Sequence, residues 1–250
     1  MAEPVISITH LRKRLNGTDV LRDISFQVMQ GEIFVIMGPS GTGKSVLLKN
    51  LIGLLRPDEG EIFIWNSPVH EMREEEFDRL RLRMGVVFQS TALFDSLTVG
   101  ENVAFPLQRH KPMSRRMMRT EVVDLLALVG LEESVDRMPA TLSGGMRKRV
   151  AIARALALDP DLIFYDEPTS GLDPPTSRDV DALIARLGHE LGITSVVVTH
   201  DLATAFGIGD RMAVLAGGEL LAIGTPAEIR SDRRPGVQRF INPGGVEERP

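Results

Sequence analysis

Two glycine-rich segments of this chain have the composition of loops that bind phosphate groups. The first fits the pattern G-x-x-x-x-G-K-[ST], and its residues are Gly38, Pro39, Ser40, Gly41, Thr42, Gly43, Lys44 and Ser45. In such a loop, successive backbone N–H groups turn inward around the phosphates. Lys44 can reach the β- and γ-phosphates, and the Ser45 hydroxyl can ligate Mg²⁺. This segment predicts that the chain binds a nucleoside triphosphate.

The second segment lies about a hundred residues further along, and its residues are Leu142, Ser143, Gly144, Gly145 and Met146. Good helix formers follow it, so a helix starting near Gly144 would point its positive end at a bound anion. One chain has little use for two such loops, but two chains facing head to tail do. We therefore expect a homodimer in which each ATP lies between the first loop of one subunit and the second loop of the other.

Polar residues follow three apolar, strand-like runs. Asp166 and Glu167 come after residues 162–165, Gln89 after residues 84–88, and His200 after residues 195–199. Because ligands of open α/β sheets bind at the carboxyl ends of the strands, we expect these side chains near the phosphates.

Each of these polar residues has a predicted role. Asp166 is placed to hold Mg²⁺ through water, and Glu167 to orient or deprotonate the attacking water. Gln89 can sense Mg²⁺ through its amide oxygen, and His200 can contact the γ-phosphate. A turn residue at Gln89 and a packing residue at His200 are the simpler alternatives.

The pattern predicts an α/β protein with a P-loop core: a RecA-like mixed sheet with flanking helices, an antiparallel β subdomain and a helical subdomain. Residues 33–37 read as a strand and residues 45–52 as the start of a helix. Residues 5–35 are strand-rich around a turn at Asn16-Gly17. Ser114 is expected to cap a helix that Gly130 stops. We expect an ATPase domain over residues 1–232, with the helical insert at about 90–158. The tail, residues 233–250, is expected to be extended or loosely packed from Arg233 onward, and we regard it as a candidate dimer contact.

Taken together, these motifs resemble the ATPase subunit of an ABC transporter, in order and spacing, from about residue 4 to about 230. The resemblance implies that Ser143, Gly144 and Gly145 contact the γ-phosphate in trans. It also implies that Asp173 links the two sites of the dimer and that Gln89 links to a membrane partner. The chain departs from the family where an aromatic ring usually stacks on the adenine, because that position holds Leu15, or alternatively Arg14.

Further segments are similar to the ATPases of Mla and Mce lipid transporters. These are Met146 at the end of the second loop, residues 88–94, residues 102–107 and residues 237–242. The resemblance implies an ATPase that powers movement of phospholipids or other hydrophobic molecules between the inner membrane and a periplasmic lipid-binding protein. It implies integral-membrane permease subunits of the MlaE type, docked at residues 89–97, and an MCE-domain protein reached through the permease.

Two features leave alternatives open. Leu93, Phe94 and Leu97 lie in a segment expected to be a loop. They either pack into the helical insert or form an apolar groove for a short helix of a membrane subunit. The basic run Arg147-Lys148-Arg149 is either a solvated helix face or part of the site.

Composition narrows the function classes. The 250 residues include 29 basic and 34 acidic side chains, which gives no basic excess to suggest nucleic-acid binding. With no cysteine, neither a disulfide nor a Cys-ligated metal site can form. No apolar run approaches the 18 residues of a membrane-spanning helix, and no signal peptide is evident. We expect a peripheral protein on the cytoplasmic face of the inner membrane.

Other members of the same superfamily fit less well. An ABC-type translation factor carries two such domains, and a DNA-repair ATPase of the Rad50 kind has a long coiled coil, which the heptad pattern here does not support. The remaining alternatives are an importer ATPase for a small water-soluble solute and a non-transport ABC ATPase.

Overall fold

The structure, a computed structural model, describes residues 4–242 as two compact units. Residues 4–77 and 194–242 form the first unit, and residues 78–193 form the second. The strands are, in chain order, β1 (Pro4–Leu15), β2 (Thr18–Met29), β3 (Ile33–Met37), β4 (Glu59–Ile64), β5 (Ser67–Pro68), β6 (Met84–Val87), β7 (Leu162–Asp166), β8 (Thr194–Thr199), β9 (Arg211–Ala216) and β10 (Glu219–Gly224). The α-helices are α1 (Lys44–Leu51), α2 (Glu74–Arg81), α3 (Val99–His110), α4 (Arg115–Leu128), α5 (Gly144–Leu156), α6 (Pro174–Leu191), α7 (Leu202–Ile208), α8 (Pro226–Ser231) and α9 (Pro235–Ile241).

The sheet of the first unit has an antiparallel part and a mainly parallel part, as the sequence predicts. Its strand order is β5-β4-β1-β2-β10-β9-β3-β8. The hairpin between β1 and β2 turns at Asn16 and Gly17, which both have positive φ (51° and 79°). Two-residue hairpin turns of this kind match the twist of the flanking strands and require φ > 0 at both positions, which Asn and Gly tolerate best.

The central strand β3 positions the first glycine-rich loop. It pairs in parallel with β8 on one side and β9 on the other, and all five of its residues are fully buried. A strand covered on both faces reads as a continuous apolar run, which explains its sequence. Met37 lies opposite Thr199, so the loop that begins at Gly38 and the residue His200 leave the sheet at the same edge.

The second unit combines two parallel strands, β6 and β7, with α3, α4, α5 and α6. Ser114 caps α4 by accepting a hydrogen bond from the Met117 N–H, and Gly130 has a left-handed φ of +68° just beyond the helix, as the sequence predicts. This compact unit extends on both sides of the predicted insert at 90–158, because it includes β6, β7 and α6.

The C-terminal part of the described chain differs from the expectation. Residues 235–241 form α9, and Val237 is fully buried, so the prediction of an extended or loosely packed chain from Arg233 onward is wrong for this segment. Pro235 occupies the first turn, where its fixed φ favours a helix, and Val237 provides an apolar anchor. The rest of the predicted tail, residues 243–250, lies outside the described residues. Along residues 4–242, no helix combines the length and apolar character needed to cross a bilayer.

Candidate functional site

The loop between β3 and α1 has the backbone of a phosphate-binding cradle. Gly41 and Gly43 adopt left-handed φ values of +79° and +101°. At Gly38, a Cβ atom would lie 2.0 Å from the carbonyl oxygen of Leu215, so only glycine fits there. The N-cap residue Gly43 offers no side-chain acceptor to α1, and no acidic residue lies in the first turn of that helix. This helix terminus therefore suits an anion such as a nucleotide phosphate.

Lys44 is folded against this loop. Its Nζ donates hydrogen bonds to the carbonyl oxygens of Gly38 (2.8 Å) and Pro39 (2.9 Å), and the residue is only 6% exposed. The Thr42 hydroxyl donates to the same Pro39 oxygen at 2.9 Å. Ser40, Gly41 and Ser45 are exposed along the loop. The Lys44 ammonium group is thus held against two backbone oxygens of the loop, where its charge suits a bound phosphate.

His200 lies at the same edge of this sheet as the loop. It is exposed and comes directly after β8. The Asp201 N–H donates to the Thr199 hydroxyl at 3.0 Å, and the Asp201 carboxylate caps α7 by accepting from the Ala203 N–H at 2.8 Å. These bonds fix the backbone on both sides of His200 and leave its ring at the surface.

The position predicted to contact adenine ends β1. Leu15 is half-buried, whereas Arg14 is exposed. The Arg14 guanidinium forms an ion pair with Asp19, which raises the pKa of Arg14, and its backbone N–H donates to Asp58 at 2.6 Å. Because Arg14 is engaged by these carboxylates, Leu15 is the better candidate for packing on a base.

In the second unit, the carboxylates follow β7 and Gln89 follows β6. These strands are parallel neighbours, with Val87 opposite Tyr165, so their polar ends share one edge. The Gln89 amide donates to the Ser170 hydroxyl at 3.3 Å. Glu167 is 8% exposed and has a left-handed φ of 48°, which a non-glycine residue rarely adopts. Backbone strain of this kind is concentrated at functional sites.

The second glycine-rich loop forms the start of α5. Ser143 caps this helix, since its Oγ accepts from the Met146 N–H at 3.2 Å. A Cβ atom on Gly145 would lie 2.3 Å from the Thr176 Cγ2, and one on Gly144 would lie 3.1 Å from the Leu172 Cδ2. Gly145 is therefore required, because Thr176 packs directly against it, whereas a Cβ on Gly144 would meet only the flexible end of Leu172. The flanking Leu142 is buried, and Met146 is half-buried.

Asp173 belongs to that neighbouring segment and caps α6. Its carboxylate accepts from the Thr176 N–H (3.1 Å) and from the Thr176 hydroxyl (2.7 Å), and these bonds lower the pKa of Asp173. Asp173 itself is exposed. The structure thus brings the second loop and the Asp173 turn together within one unit.

The apolar segment after Gln89 is partly exposed. Phe94 is 43% exposed, and its ring centroid lies 4.8 Å from that of Phe105, which is 41% exposed. Leu93 and Leu97 are half-buried. The fully buried Asn102 fixes this segment, since its amide group donates to the carbonyl oxygens of Phe94 and Leu97 (both 3.1 Å) and accepts from the Phe94 N–H (2.8 Å). The phenylalanine pair is thus exposed and the two leucines are half-buried, and docking of a membrane subunit at this segment stays a prediction.

The basic run at the start of α5 is not a uniformly solvated face. Lys148 is only 4% exposed, and its Nζ donates to the backbone oxygens of Gln89 (2.7 Å) and Glu167 (3.1 Å). The sequence alone leaves the role of Lys148 undecided and predicts no role for the side chains of Asn102 and Arg154. The sequence does give one signal for Lys148. It lies one turn after the start of the helix, on a helix face whose other residues are apolar.

Three residues predicted to bind Mg²⁺ carry side-chain oxygens, Ser45 in the first unit and Asp166 and Gln89 in the second. Among residues 4–242, no group of three or more His, Cys, Asp or Glu side chains could hold a metal. Mg²⁺ in nucleotide sites is usually bound by one or two protein oxygens, the substrate phosphates and water. Ser45, Asp166 and Gln89 supply oxygens of the required kind.

Comparisons with known proteins agree on one family. The family model described as "ABC transporter" matches residues 21–170. The chain is 39% identical, over 95% of its length, to the probable ribonucleotide transport ATP-binding protein mkl of Mycobacterium tuberculosis, and spans 66% of that protein. It is 38% identical over 96% of its length to the intermembrane phospholipid transport system ATP-binding protein MlaF of Haemophilus influenzae, spanning 91% of that protein. It is 39% identical, again over 96%, to the methionine import ATP-binding protein MetN of Mesorhizobium japonicum, spanning 66% of it.

A solved structure agrees with the fold. The dimeric ATP-binding cassette MJ0796, in a post-hydrolysis state bound to ADP and Pi, has a TM-score of 0.81 and 35% identity to this chain. The match covers 88% of this chain and 98% of that one, and it confirms the predicted fold class.

Proposed function

Because this chain belongs to the ABC transporter family and is one of its ATPases, we propose that it hydrolyses ATP to power lipid trafficking. Its cargo would be phospholipids or other hydrophobic molecules moving between the inner membrane and a periplasmic lipid-binding protein. In this role it would help to maintain the lipid asymmetry of an outer membrane. The proposal of ATP hydrolysis rests on Glu167, a buried residue with a left-handed backbone conformation directly after Asp166.

Each residue of the two glycine-rich loops and the strand ends has a proposed role. The backbone of residues 38–45 cradles the phosphates, and Lys44 neutralises charge on the β- and γ-phosphates. Ser45, Asp166 and Gln89 provide oxygens for Mg²⁺, which supplies positive charge that stabilises charge developing on the phosphate oxygens. Glu167 orients the attacking water and accepts its proton, and His200 contacts the γ-phosphate. Leu15 packs on the base.

Two copies of the chain are proposed to act together. Residues 142–146 of one copy would face the nucleotide held by residues 38–45 of the other, with Asp173 linking the two sites. The support comes from the helix start at Ser143, which has no acidic residue in its first turn, and from the dimeric form of the related cassette MJ0796. Closure of the dimer on ATP would then drive the attached membrane subunits.

The membrane partners are proposed to dock beside Gln89. Phe94 and Phe105 form an exposed aromatic pair, and Leu93 and Leu97 border it. A short amphipathic helix from a permease subunit could bury such a surface. The chain would sit at the cytoplasmic face of the inner membrane, and an MCE-domain lipid-binding protein would be reached through the permease.

The competing proposal is an importer ATPase for a small water-soluble solute. The methionine import relative supports it, at an identity as high as that of the lipid-transport relative. We favour lipid transport because Met146 and residues 88–94, 102–107 and 237–242 resemble the ATPases of Mla and Mce lipid transporters.

The test is to purify the chain with its membrane partners and identify bound molecules by mass spectrometry, in parallel with a deletion strain. We expect retained phospholipid or another hydrophobic compound, together with altered outer-membrane lipids and sensitivity to detergent. Normal lipids in the deletion strain, combined with lost uptake of a water-soluble nutrient, would favour the importer.

A further inference from the structure

Lys148 is unlike its basic neighbours on α5. Arg147 donates to the Leu142 carbonyl oxygen at 2.6 Å, and Arg149 pairs with the exposed Asp179 carboxylate at 3.3 Å. Both arginines are half-buried, whereas Lys148 is 4% exposed and reaches into the interior of the second unit. Side chains with a charged end usually keep that end in water, so a buried ammonium group requires specific partners.

The partners of Lys148 lie at two separate functional loops. Its Nζ donates to the backbone oxygen of Gln89 at 2.7 Å and to that of Glu167 at 3.1 Å. These two residues follow β6 and β7 and are 78 positions apart in the chain. A single ammonium group therefore bridges the loop after one strand and the loop after its neighbour.

Burial and the neighbouring carboxylates act in opposite directions on the ammonium group of Lys148. Burial lowers the pKa of Lys148, while the carboxylates of Asp166 and Glu167 act in the opposite direction. Removal of a hydrogen-bonded cation from such a place leaves backbone oxygens and carboxylates without their compensating charge. The group is thus coupled to the two carboxylates by charge and to two backbone oxygens by hydrogen bonds.

The bond to Glu167 acts on the residue whose backbone is strained. Glu167 has a φ of 48°, a conformation that costs free energy in a non-glycine residue and persists only where surrounding contacts hold it. Lys148 bonds the carbonyl oxygen of Glu167 itself, so it restrains the peptide unit that fixes the direction of the Glu167 side chain.

A second cation of α5 holds the Gln89 loop further along. Arg154 donates to the backbone oxygens of Thr91 (2.9 Å) and Ala92 (2.7 Å), two residues with positive φ of 63° and 48°. Among the hydrogen bonds that the structure gives for these two cations, only Lys148 has a bond to Glu167. Arg154 shapes the loop, and Lys148 connects that loop to Glu167.

We propose that Lys148 is a positioning residue for ATP hydrolysis, which ties the backbone of Gln89 to that of Glu167 and so holds the Glu167 carboxylate in its productive direction. The inference rests on the proposed role of Glu167 in activating water. It also makes Lys148 the physical link through which movement of the Gln89 loop alters hydrolysis.

The test compares Lys148→Met, Lys148→Arg and the matched control Arg149→Met. Each is assayed for ATP affinity, kcat, KM and melting temperature. We expect Lys148→Met to lower kcat roughly 10–100-fold, since a displacement of about 1 Å at a reacting group can cost 10²-fold. ATP affinity should change less than about threefold, because the hydrogen bonds of Lys148 go to the backbones of Gln89 and Glu167 and the expected loss is confined to the chemical step. Lys148→Arg should recover most of the activity, and Arg149→Met should behave as the wild type.

A second measurement separates positioning from general structure. The double variant Glu167→Gln/Lys148→Met should form the ATP-dependent dimer to the same extent as the Glu167→Gln variant alone. If the Lys148→Met protein does not fold, Lys148→Gln replaces it in the test. Gln keeps N–H donors but has a shorter side chain, so the same loss of kcat is expected.

Three outcomes overturn the inference: wild-type kcat in the folded Lys148→Met protein, no recovery in Lys148→Arg, or parallel losses of ATP affinity, dimer formation and melting temperature. Failure of the proposed function would appear differently, as wild-type turnover in Glu167→Gln alone.

Discussion

Gly145 offers a direct test of how the second glycine-rich loop is built. In Gly145→Ala, the added Cβ would lie 2.3 Å from the Thr176 Cγ2, whereas carbon atoms pack best at about 3.5–4.0 Å. The two atoms must therefore separate by at least about 1 Å. Thr176 cannot simply rotate away, because its hydroxyl bonds Asp173 at 2.7 Å and its χ1 is restricted by branching. We expect the strain to separate the starts of α5 and α6.

The magnitude follows from two opposing effects. Overpacking a well-filled contact typically costs about 1–3 kcal/mol, while Ala is favoured over Gly within a helix by about 0.5–1 kcal/mol. The free energy of unfolding should therefore fall by roughly 0.5–2 kcal/mol in Gly145→Ala. Adding Thr176→Ser removes the clashing methyl group and keeps the hydroxyl bond, so the double variant should recover most of that loss.

Urea denaturation of the single and double variants measures these differences. Gly144→Ala is the matched control, because its Cβ would meet only the flexible end of Leu172 at 3.1 Å. We expect the Gly144→Ala protein to lose less than about 1 kcal/mol, as side chains with rotatable ends relax more easily. If Gly145→Ala equals the wild type in stability, or if Thr176→Ser restores nothing, the packing argument for the second glycine is refuted.

Three further predictions concern the nucleotide site and the membrane. Glu167→Gln should bind ATP yet hydrolyse it about 10²–10³-fold more slowly, and should accumulate as an ATP-bound dimer in size-exclusion chromatography; wild-type turnover would contradict the role of Glu167. Mixing Lys44→Ala with Ser143→Arg subunits should produce heterodimers with one intact site, detected as ATP binding that neither variant shows alone; a mixture without binding would mean that the loops do not meet across a dimer. Replacing Phe94 and Leu97 by Asp should release the chain from membranes in co-purification while leaving ATP affinity unchanged, since each buried apolar side chain contributes about 1.5–3 kcal/mol; continued membrane association would place the docking surface elsewhere.

The local elements of this chain could be predicted because each has a short-range cause. The apolar run at residues 33–37, the capping residue Ser114 and the Asn16-Gly17 turn all specify their structure through nearest neighbours, and all three are confirmed. The phosphate loop is partly of the same kind: Gly41 and Gly43 are favoured by their left-handed φ, whereas Gly38 is required by the distant Leu215 carbonyl oxygen.

Contacts between distant segments could not be predicted in this way. Lys148 stands in a run of three basic residues, and only the pairing of β6 with β7 brings two backbone oxygens to its ammonium group. The need for glycine at position 145 depends on Thr176, 31 positions away in the sequence, and no local rule gives the distance between them. The helix at 235–241 differs from the expectation because it lies in a stretch rich in Gly, Pro and charge, whereas the burial of Val237 holds it against the rest of its unit.

The sequence by itself therefore determined the chemistry of this protein, because glycines, a lysine and carboxylates at fixed spacing leave few alternatives for what they bind. Only the tertiary structure decided which neighbouring groups hold the glycine-rich loops and the carboxylates in place. A hydrogen bond or a packing contact depends on distances between chain segments, and those distances arise when the whole core of each unit is assembled.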